Sequence, residues 1–365
     1  MRLGWLELTD FRSYHHLRLE PDPSMNIFVG SNGAGKSNLL EAVSYLARLR
    51  SFRKAPDTAL IAVEADSAVV RGEFKTDATS ALVEVELPRV GRRRVQLNGK
   101  RPKRNADLLI QVRMVVFLPD DLNLVKGPPS GRRDYLDDLA AQLWPIAAGE
   151  QADYDKALKQ RNALLRNEGH AADAAALDVW DEQIATVGAA IIARRVGLVE
   201  SLSPMLKASY AEISAGPAEV AWSYEAKVLG PITAGHMPHD AAERLLEGLA
   251  QRRRLDMDRK VTTVGPHRDE PSLTLGVGDS RTLASQGEQR SLALALRLSA
   301  FDLITDQTGE VPLLLLDDVF SELDHGRTAG VVARLPNAQV FITTARPEDV
   351  PVKGHHWSVS EGAIA

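Results

Sequence analysis

Gly30-Ser31-Asn32-Gly33-Ala34-Gly35-Lys36-Ser37 fits the spacing G-x-x-x-x-G-K-[ST], with an additional glycine inside it. Glycines at these positions let backbone N–H groups turn inward around phosphate oxygens, and a helix starting at the lysine adds its positive end. In this pattern Lys36 reaches the β- and γ-phosphates of a nucleoside triphosphate, and the Ser37 hydroxyl is a Mg²⁺ ligand. The context suits the motif. An apolar run, Met25 to Val29, precedes the loop, and Leu39, Leu40, Val43, Leu46 and Ala47 follow at helical spacing. The candidate ATP-binding residues are therefore Gly30, Ser31, Asn32, Gly33, Ala34, Gly35, Lys36, Ser37 and Asn38. A second stretch, Val311-Pro312-Leu313-Leu314-Leu315-Leu316-Asp317-Asp318, is an apolar strand ending in two acids. At the carboxyl end of a parallel strand beside the loop, Asp317 would hold Mg²⁺ with Ser37, and Asp318 would polarise the attacking water. Lys36, Asp317 and Asp318 are the candidate catalytic residues.

A third stretch, Ser285-Gln286-Gly287-Glu288-Gln289-Arg290, opens the strongly apolar run Ser291 to Leu298. Ser285 and Glu288 have capping-box spacing. A capped helix start carrying serine and glycine is a second anion site on the chain.

These residues must be carried by surrounding elements. Residues 1–30 read as strands, and 67–118 return to strand character, with Asn98-Gly99 as a two-residue hairpin signal. From about Arg132 to Tyr210 the pattern is helical and alanine-rich, with a turn at Asn167-Glu168-Gly169-His170. A helix over 241–259 leads to short strands near 261–275, and the last hundred residues alternate strands and helices. The pattern predicts one α/β nucleotide-binding unit split by a helical insertion. Its parts are an N-terminal half (1–125), the insertion (126–258) and a C-terminal half (259–365).

Position turns the third stretch into more than a cap. It lies about thirty residues before the aspartate strand and resembles the signature motif of ABC-type ATPases. Ser321-Glu322-Leu323-Asp324 resembles the D-loop of that superfamily, with Asp324 its acid. The resemblance implies an ABC-type P-loop ATPase head, a mixed β subdomain plus a parallel-sheet core, with an inserted helical arm. It also implies an ATP-dependent homodimer in which Ser285, Gln286, Gly287 and Glu288 of one subunit close on ATP held by the other. Within the superfamily, further stretches are similar to the bacterial recombination-repair RecF family. They are Leu8-Thr9-Asp10-Phe11-Arg12-Ser13-Tyr14, Asn98-Gly99-Lys100, Arg132-Arg133 with Leu136-Asp137, Lys159-Gln160-Arg161-Asn162-Ala163-Leu164-Leu165, and Gly265-Pro266-His267-Arg268-Asp269. That likeness implies binding to gapped or tailed DNA with little sequence specificity, loading of recombinase, and a mediator partner of the RecR type. Asp318 stands where transporter-type ATPases carry glutamate, and no histidine lies near Val340-Phe341-Ile342-Thr343-Thr344. Both features point to slow turnover, and Thr344 is the position suggested for a γ-phosphate contact.

Composition narrows the setting. The chain has 365 residues, 44% hydrophobic and 25% charged, with no cysteine and a net charge of −5. Disulfides and thiolate metal sites are excluded, and a reducing, cytoplasmic setting is expected. No apolar run is long enough for a membrane span. Any DNA contact must come from local basic patches. The segment 91–104 carries seven basic residues (Arg92, Arg93, Arg94, Lys100, Arg101, Lys103 and Arg104) and no acid. On an exposed hairpin these would contact the phosphate backbone. Arg48, Arg50, Arg53 and Lys54, the basic residues at the end of the first helix and just after it, suit either DNA or ATP phosphate. His267 reads as structural. The rival reading, an ATPase subunit of a membrane transporter, meets the wrong signature and too long an insertion. A chromosome-organising protein would need heptads sustained over hundreds of residues.

Overall fold

The computed structural model describes residues 1–103, 106–214, 219–232, 239–276 and 278–365. Its strands, in chain order, are β1 (Arg2–Phe11), β2 (Tyr14–Leu19), β3 (Met25–Val29), β4 (Ser67–Lys75), β5 (Ser80–Pro88), β6 (Arg94–Leu97) and β7 (Met114–Phe117). They continue as β8 (Val220–Ala226), β9 (Gly230–Ile232), β10 (Glu270–Leu275), β11 (Gly278–Asp279), β12 (Leu313–Asp317), β13 (Val340–Thr344), β14 (His355–Ser360) and β15 (Ala363–Ile364). The chain divides into two compact units: Met1–Asp121 with Ser209–Gly216 and Arg290–Ala365, and Leu122–Ala208 with Pro217–Gln289.

The first unit holds two sheets. One is antiparallel, in the order β2-β1-β4-β5-β6, and the other runs β15-β14-β3-β13-β12-β7. In the second sheet β14, β3, β13, β12 and β7 are all parallel. Buried on both faces, β12 and β13 need continuous rather than alternating apolar residues, and Leu313–Leu316 and Val340–Ile342 supply them. The antiparallel sheet alternates. Leu6, Leu8 and Phe11 face inward, and a register shift between Leu3 and Trp5 brings Leu3 to the same side.

The helix after the glycine loop, Lys36–Arg48, joins the core shared by both sheets. Its apolar spacing predicts one buried face, yet every residue from Leu39 to Ala47 is buried, Glu41 and Ser44 included. Contact with strands of both sheets leaves no side for solvent. Gly72 in β4 belongs to this packing, since a Cβ there would lie 2.7 Å from Leu46 Cδ1.

The second unit contains the helices Pro129–Leu143, Pro145–Asn167, most of Ala174–Ser214, and Ala241–Arg259. It also holds a four-stranded antiparallel sheet, β11-β10-β8-β9. The turn read at 167–170 separates the second and third of these helices. The basic and acidic residues of its sequence motifs are buried together. Arg161, with no exposed surface, donates to Asp181 at 2.5 Å, Asp256 at 2.7 Å and Thr262 Oγ1 at 2.9 Å. Arg195 donates to both Asp137 oxygens at 2.7 Å and to Pro266 O at 2.7 Å. His267 Nε2 lies 3.1 Å from Thr262 O, so it carries the proton, and Nδ1 accepts from the Tyr154 hydroxyl at 2.6 Å. Burial lowers its pKa to about 4, which keeps the ring neutral at neutral pH and structural in role.

Removing one partner of such a buried network strands the opposite charges. Arg161→Ala leaves Asp256 without its paired cation and Asp181 with Arg253 alone, with an expected loss of about 3–5 kcal/mol of unfolding free energy. Urea denaturation of the variant checks this, and a loss under about 1 kcal/mol would contradict the reading.

Candidate ATP-binding site

The glycine loop leaves β3 at Val29 and ends on the helix starting at Lys36. Gly33 and Gly35 take φ of 86° and 111°, a left-handed region that favours glycine. Gly30 is needed for closeness instead, because a Cβ there would lie 2.3 Å from Val359 O. Tyr14 donates its hydroxyl to Gly35 O at 3.1 Å, pinning the loop from the first hairpin.

Asp317 closes the strand beside the loop, and its Oδ1 accepts from Ser37 Oγ at 2.8 Å and Thr343 Oγ1 at 2.7 Å. Thr343 in turn accepts from Asp318 N at 3.0 Å. This bond holds Asp318 at φ 50°, a left-handed conformation that aspartate tolerates better than most residues. Asp318 Oδ1 is buried without a hydrogen-bond partner, and desolvation raises the carboxyl's pKa. Lys36 donates to Gly30 O at 2.6 Å and Ser31 O at 2.9 Å, and burial lowers its pKa against the pull of Asp318 and Asp317. The cleft over the loop is lined by Asn32, Gly33, Gly35–Asn38, Arg53, Asp317, Asp318 and Thr343. The donor set suits a metal nucleotide: a serine hydroxyl and a carboxylate share one point, an ammonium lies at the loop, and an unpaired carboxylate oxygen is left for water.

Two cleft residues sharpen the sequence reading. The strand-end hydroxyl that reaches the acids belongs to Thr343, whereas Thr344 donates to Arg346 O at 2.9 Å and accepts from Arg346 N at 3.2 Å. Successive strand residues point to opposite faces, so only one of the pair can serve the cleft. Arg53 is in the lining, which places that arginine at the phosphate loop.

The signature residues form the capping box. Ser285 N donates to Glu288 Oε2 at 2.7 Å and Glu288 N to Ser285 Oγ at 3.3 Å, with Ser285 and Gln286 exposed. Gln289 is buried behind them and donates to Ala284 O at 3.2 Å. Asp324 caps the helix His325–Arg334, accepting from Arg327 N at 2.9 Å.

The basic hairpin is less uniform than its charges suggest. Leu97 and Lys100 pair across Asn98-Gly99, both at positive φ, as the hairpin signal requires. Arg93 turns inward, donating to Leu49 O at 2.5 Å, Tyr45 Oη at 3.1 Å and Asp57 Oδ2 at 3.3 Å. Arg94 pairs with Glu86 at 3.0 Å on the next strand. Arg92, Lys100, Arg101 and Lys103 are exposed. Arg104 lies outside the described residues.

A family model described as RecF/RecN/SMC N terminal domain matches residues 2–360. The DNA replication and repair protein RecF of Streptomyces avermitilis is 40% identical over 376 residues, covering 100% of this chain and 99% of that protein. That of Acidothermus cellulolyticus is 42% identical over 369 residues, covering 100% and 99%. The chain belongs to the RecF family. A solved structure of the recombination mediator protein RecF with ATP, in the RecFOR pathway, superposes with a TM-score of 0.91 at 31% identity, covering 100% of this chain and 97% of that one. An SMC head bound to the C-terminal winged-helix domain of ScpA shares the fold, with a TM-score of 0.59 at 17% identity. The ABC-type, SMC-like head read from the sequence of this RecF-family chain is thus its fold. Among the described residues, no helix is long and apolar enough to cross a membrane.

Thr343 is the member of this site that motif reading passes over. Thr343→Val removes the hydroxyl shared by Asp317 and the Asp318 amide. It is expected to slow ATP turnover about tenfold or more while changing ATP affinity less than about threefold. Parallel kcat and calorimetric affinity measurements check it, and an unchanged kcat would contradict it.

Proposed function

We propose that this RecF-family protein binds ATP and Mg²⁺, pairs with a second copy on ATP, clamps DNA, and lets go through slow hydrolysis. The observation that carries this reading is the shared hydrogen bond of Ser37 and Thr343 to Asp317, beside an unpaired Asp318 oxygen. Relatives of the chain are named for DNA replication and repair, and one is solved with ATP as a recombination mediator. The chemistry follows from the residues. Loop N–H groups and Lys36 bind the phosphates, with Lys36 exchanging the carbonyls of Gly30 and Ser31 for phosphate oxygens. Ser37 and Asp317 hold Mg²⁺, which, when bound, neutralises charge building on the phosphate oxygens. Asp318 orients and polarises water. Its shorter side chain and the absence of a histidine at residues 340–344 suit a low turnover.

Closure is proposed to come from the partner copy. Ser285 and Gly287 of one subunit would meet the γ-phosphate at the other's loop, with Gln286 and Glu288 shaping that cap and Asp324 lying alongside. Exposure of Ser285 and Gln286 leaves them available for such contact. DNA binding is assigned to Arg92, Lys100, Arg101 and Lys103 on the hairpin, with Arg94 contributing once it leaves Glu86. Arg93 supports the hairpin from within. The ligand is gapped or tailed DNA, contacted through its backbone, with a RecR-type mediator docking on the dimer in a cytoplasmic repair setting.

Fluorescence anisotropy of a tailed duplex with ATP, ADP or no nucleotide tests this. Tight binding is expected only with ATP and is lost in Lys36→Met and Ser285→Arg. Asp318→Asn is expected to cut hydrolysis about a hundredfold or more and prolong the DNA complex. Equal binding in all three nucleotide states would overturn the switch.

A further inference from the structure

We infer that Arg12, Glu41 and Ser51 form a positioning relay that holds Arg53 in the ATP cleft. The inference rests on the ATP reading above and concerns residues outside the loop, the aspartate strand and the signature.

Glu41 is the starting point. It sits one turn into the helix that follows the glycine loop, and its side chain has no exposed surface. An isolated carboxylate there would be costly, and both oxygens are paired. Arg12 Nε donates to Oε2 at 2.9 Å and Arg12 NH2 to Oε1 at 3.2 Å. Ser51 Oγ donates to Oε1 as well. The Ser51 oxygen also accepts from Arg53 N at 3.0 Å, which sets the turn carrying Arg53. At the far end of that side chain, Arg53 NH1 donates to Asn38 Oδ1 at 3.1 Å, and Asn38 Nδ2 donates to Ser13 Oγ at 3.1 Å. Ser13 follows Arg12 in the chain, so the circuit closes. Arg12 is itself fixed at φ 54° by its N–H on Leu60 O at 2.7 Å and by NH1 on Ala59 O at 2.9 Å.

Two features argue for positioning over stability alone. A buried ion pair contributes little that a packed apolar pair would not, so stability does not explain why an arginine and a glutamate stand here. The circuit also ends on an exposed guanidinium that lines the cleft holding Lys36 and Ser37. A guanidinium fixed in advance binds phosphate with less ordering cost than a free one, and its planar fork suits two phosphate oxygens. Lys36 is a point charge on the loop, and Arg53 adds a directional cation from outside it.

The test is calorimetric titration of the full chain with ATP and Mg²⁺, using wild type, Lys36→Met, Arg53→Ala, Glu41→Gln and Glu41→Gln/Arg53→Ala. Arg53→Ala is expected to weaken ATP binding about tenfold and Glu41→Gln several-fold. The double variant is expected to be no weaker than Arg53→Ala, because Glu41 acts only through Arg53. If Glu41→Gln does not fold, Ser51→Ala, which removes a single oxygen, takes its place in the cycle. Additive losses would overturn the relay, leaving Glu41 a structural residue. Unchanged affinity in Arg53→Ala, with binding abolished in Lys36→Met, would overturn it while leaving the ATP site standing. Absence of ATP binding by the wild type would overturn both.

Discussion

A serine hydroxyl and a carboxylate 280 residues apart in sequence meet at 2.8 Å, and the first unit is organised so that they can. Ser37 belongs to a loop leaving one parallel strand, and Asp317 ends another. Between those strands runs β13, pairing with both, and Thr343 from it donates to the same carboxylate oxygen. The register of three strands therefore decides the site, and a slip of one residue would turn Asp317 away from Ser37. The helix behind the loop, buried from Leu39 to Ala47, and the apolar runs of β12 and β13 supply the burial that makes this register stable.

Among the described residues, several buried charges have fixed partners: Arg12 with Glu41, Arg161 with Asp181 and Asp256, Arg195 with Asp137. Asp318 is the exception in the cleft, with one oxygen buried and unpaired. That oxygen belongs to a residue lining the cleft over the loop, where the proposed role of polarising water would use it. Slow chemistry fits the same picture. Asp318 is held by its backbone at positive φ, while its side chain is one methylene shorter than a glutamate would be.

Local signals in the sequence carried much of this. The glycine loop, its flanking strand and helix, the aspartate-ended strand, the capping box at Ser285 and the Asn98-Gly99 hairpin each depend on residues within a few positions of one another. The structure has all of them. What depends on packing was less legible. The apolar spacing of 36–48 suggested one buried face, because nothing local announces that two sheets will cover the helix. The run 92–104 read as one basic patch, but Arg93 points inward and Arg94 is paired. Thr343 and Thr344 differ only in strand parity, which decides that Thr343 reaches Asp317 and the Asp318 amide. The motif residues Arg161 and His267 are conspicuous, yet their burial in one network is set by contacts with residues up to about a hundred positions away.

The central claim is that one copy's loop is completed by another copy's signature, and mixing two inactive variants tests it most directly. Lys36→Met lacks a working loop and Ser285→Arg lacks a working signature. Alone, each should hydrolyse little ATP. Mixed in equal amounts, half the dimers should be mixed and each should hold one intact composite site, restoring about a quarter of wild-type ATPase activity. Failure of the mixture to regain activity, or full activity in Ser285→Arg alone, would contradict a site shared between two copies.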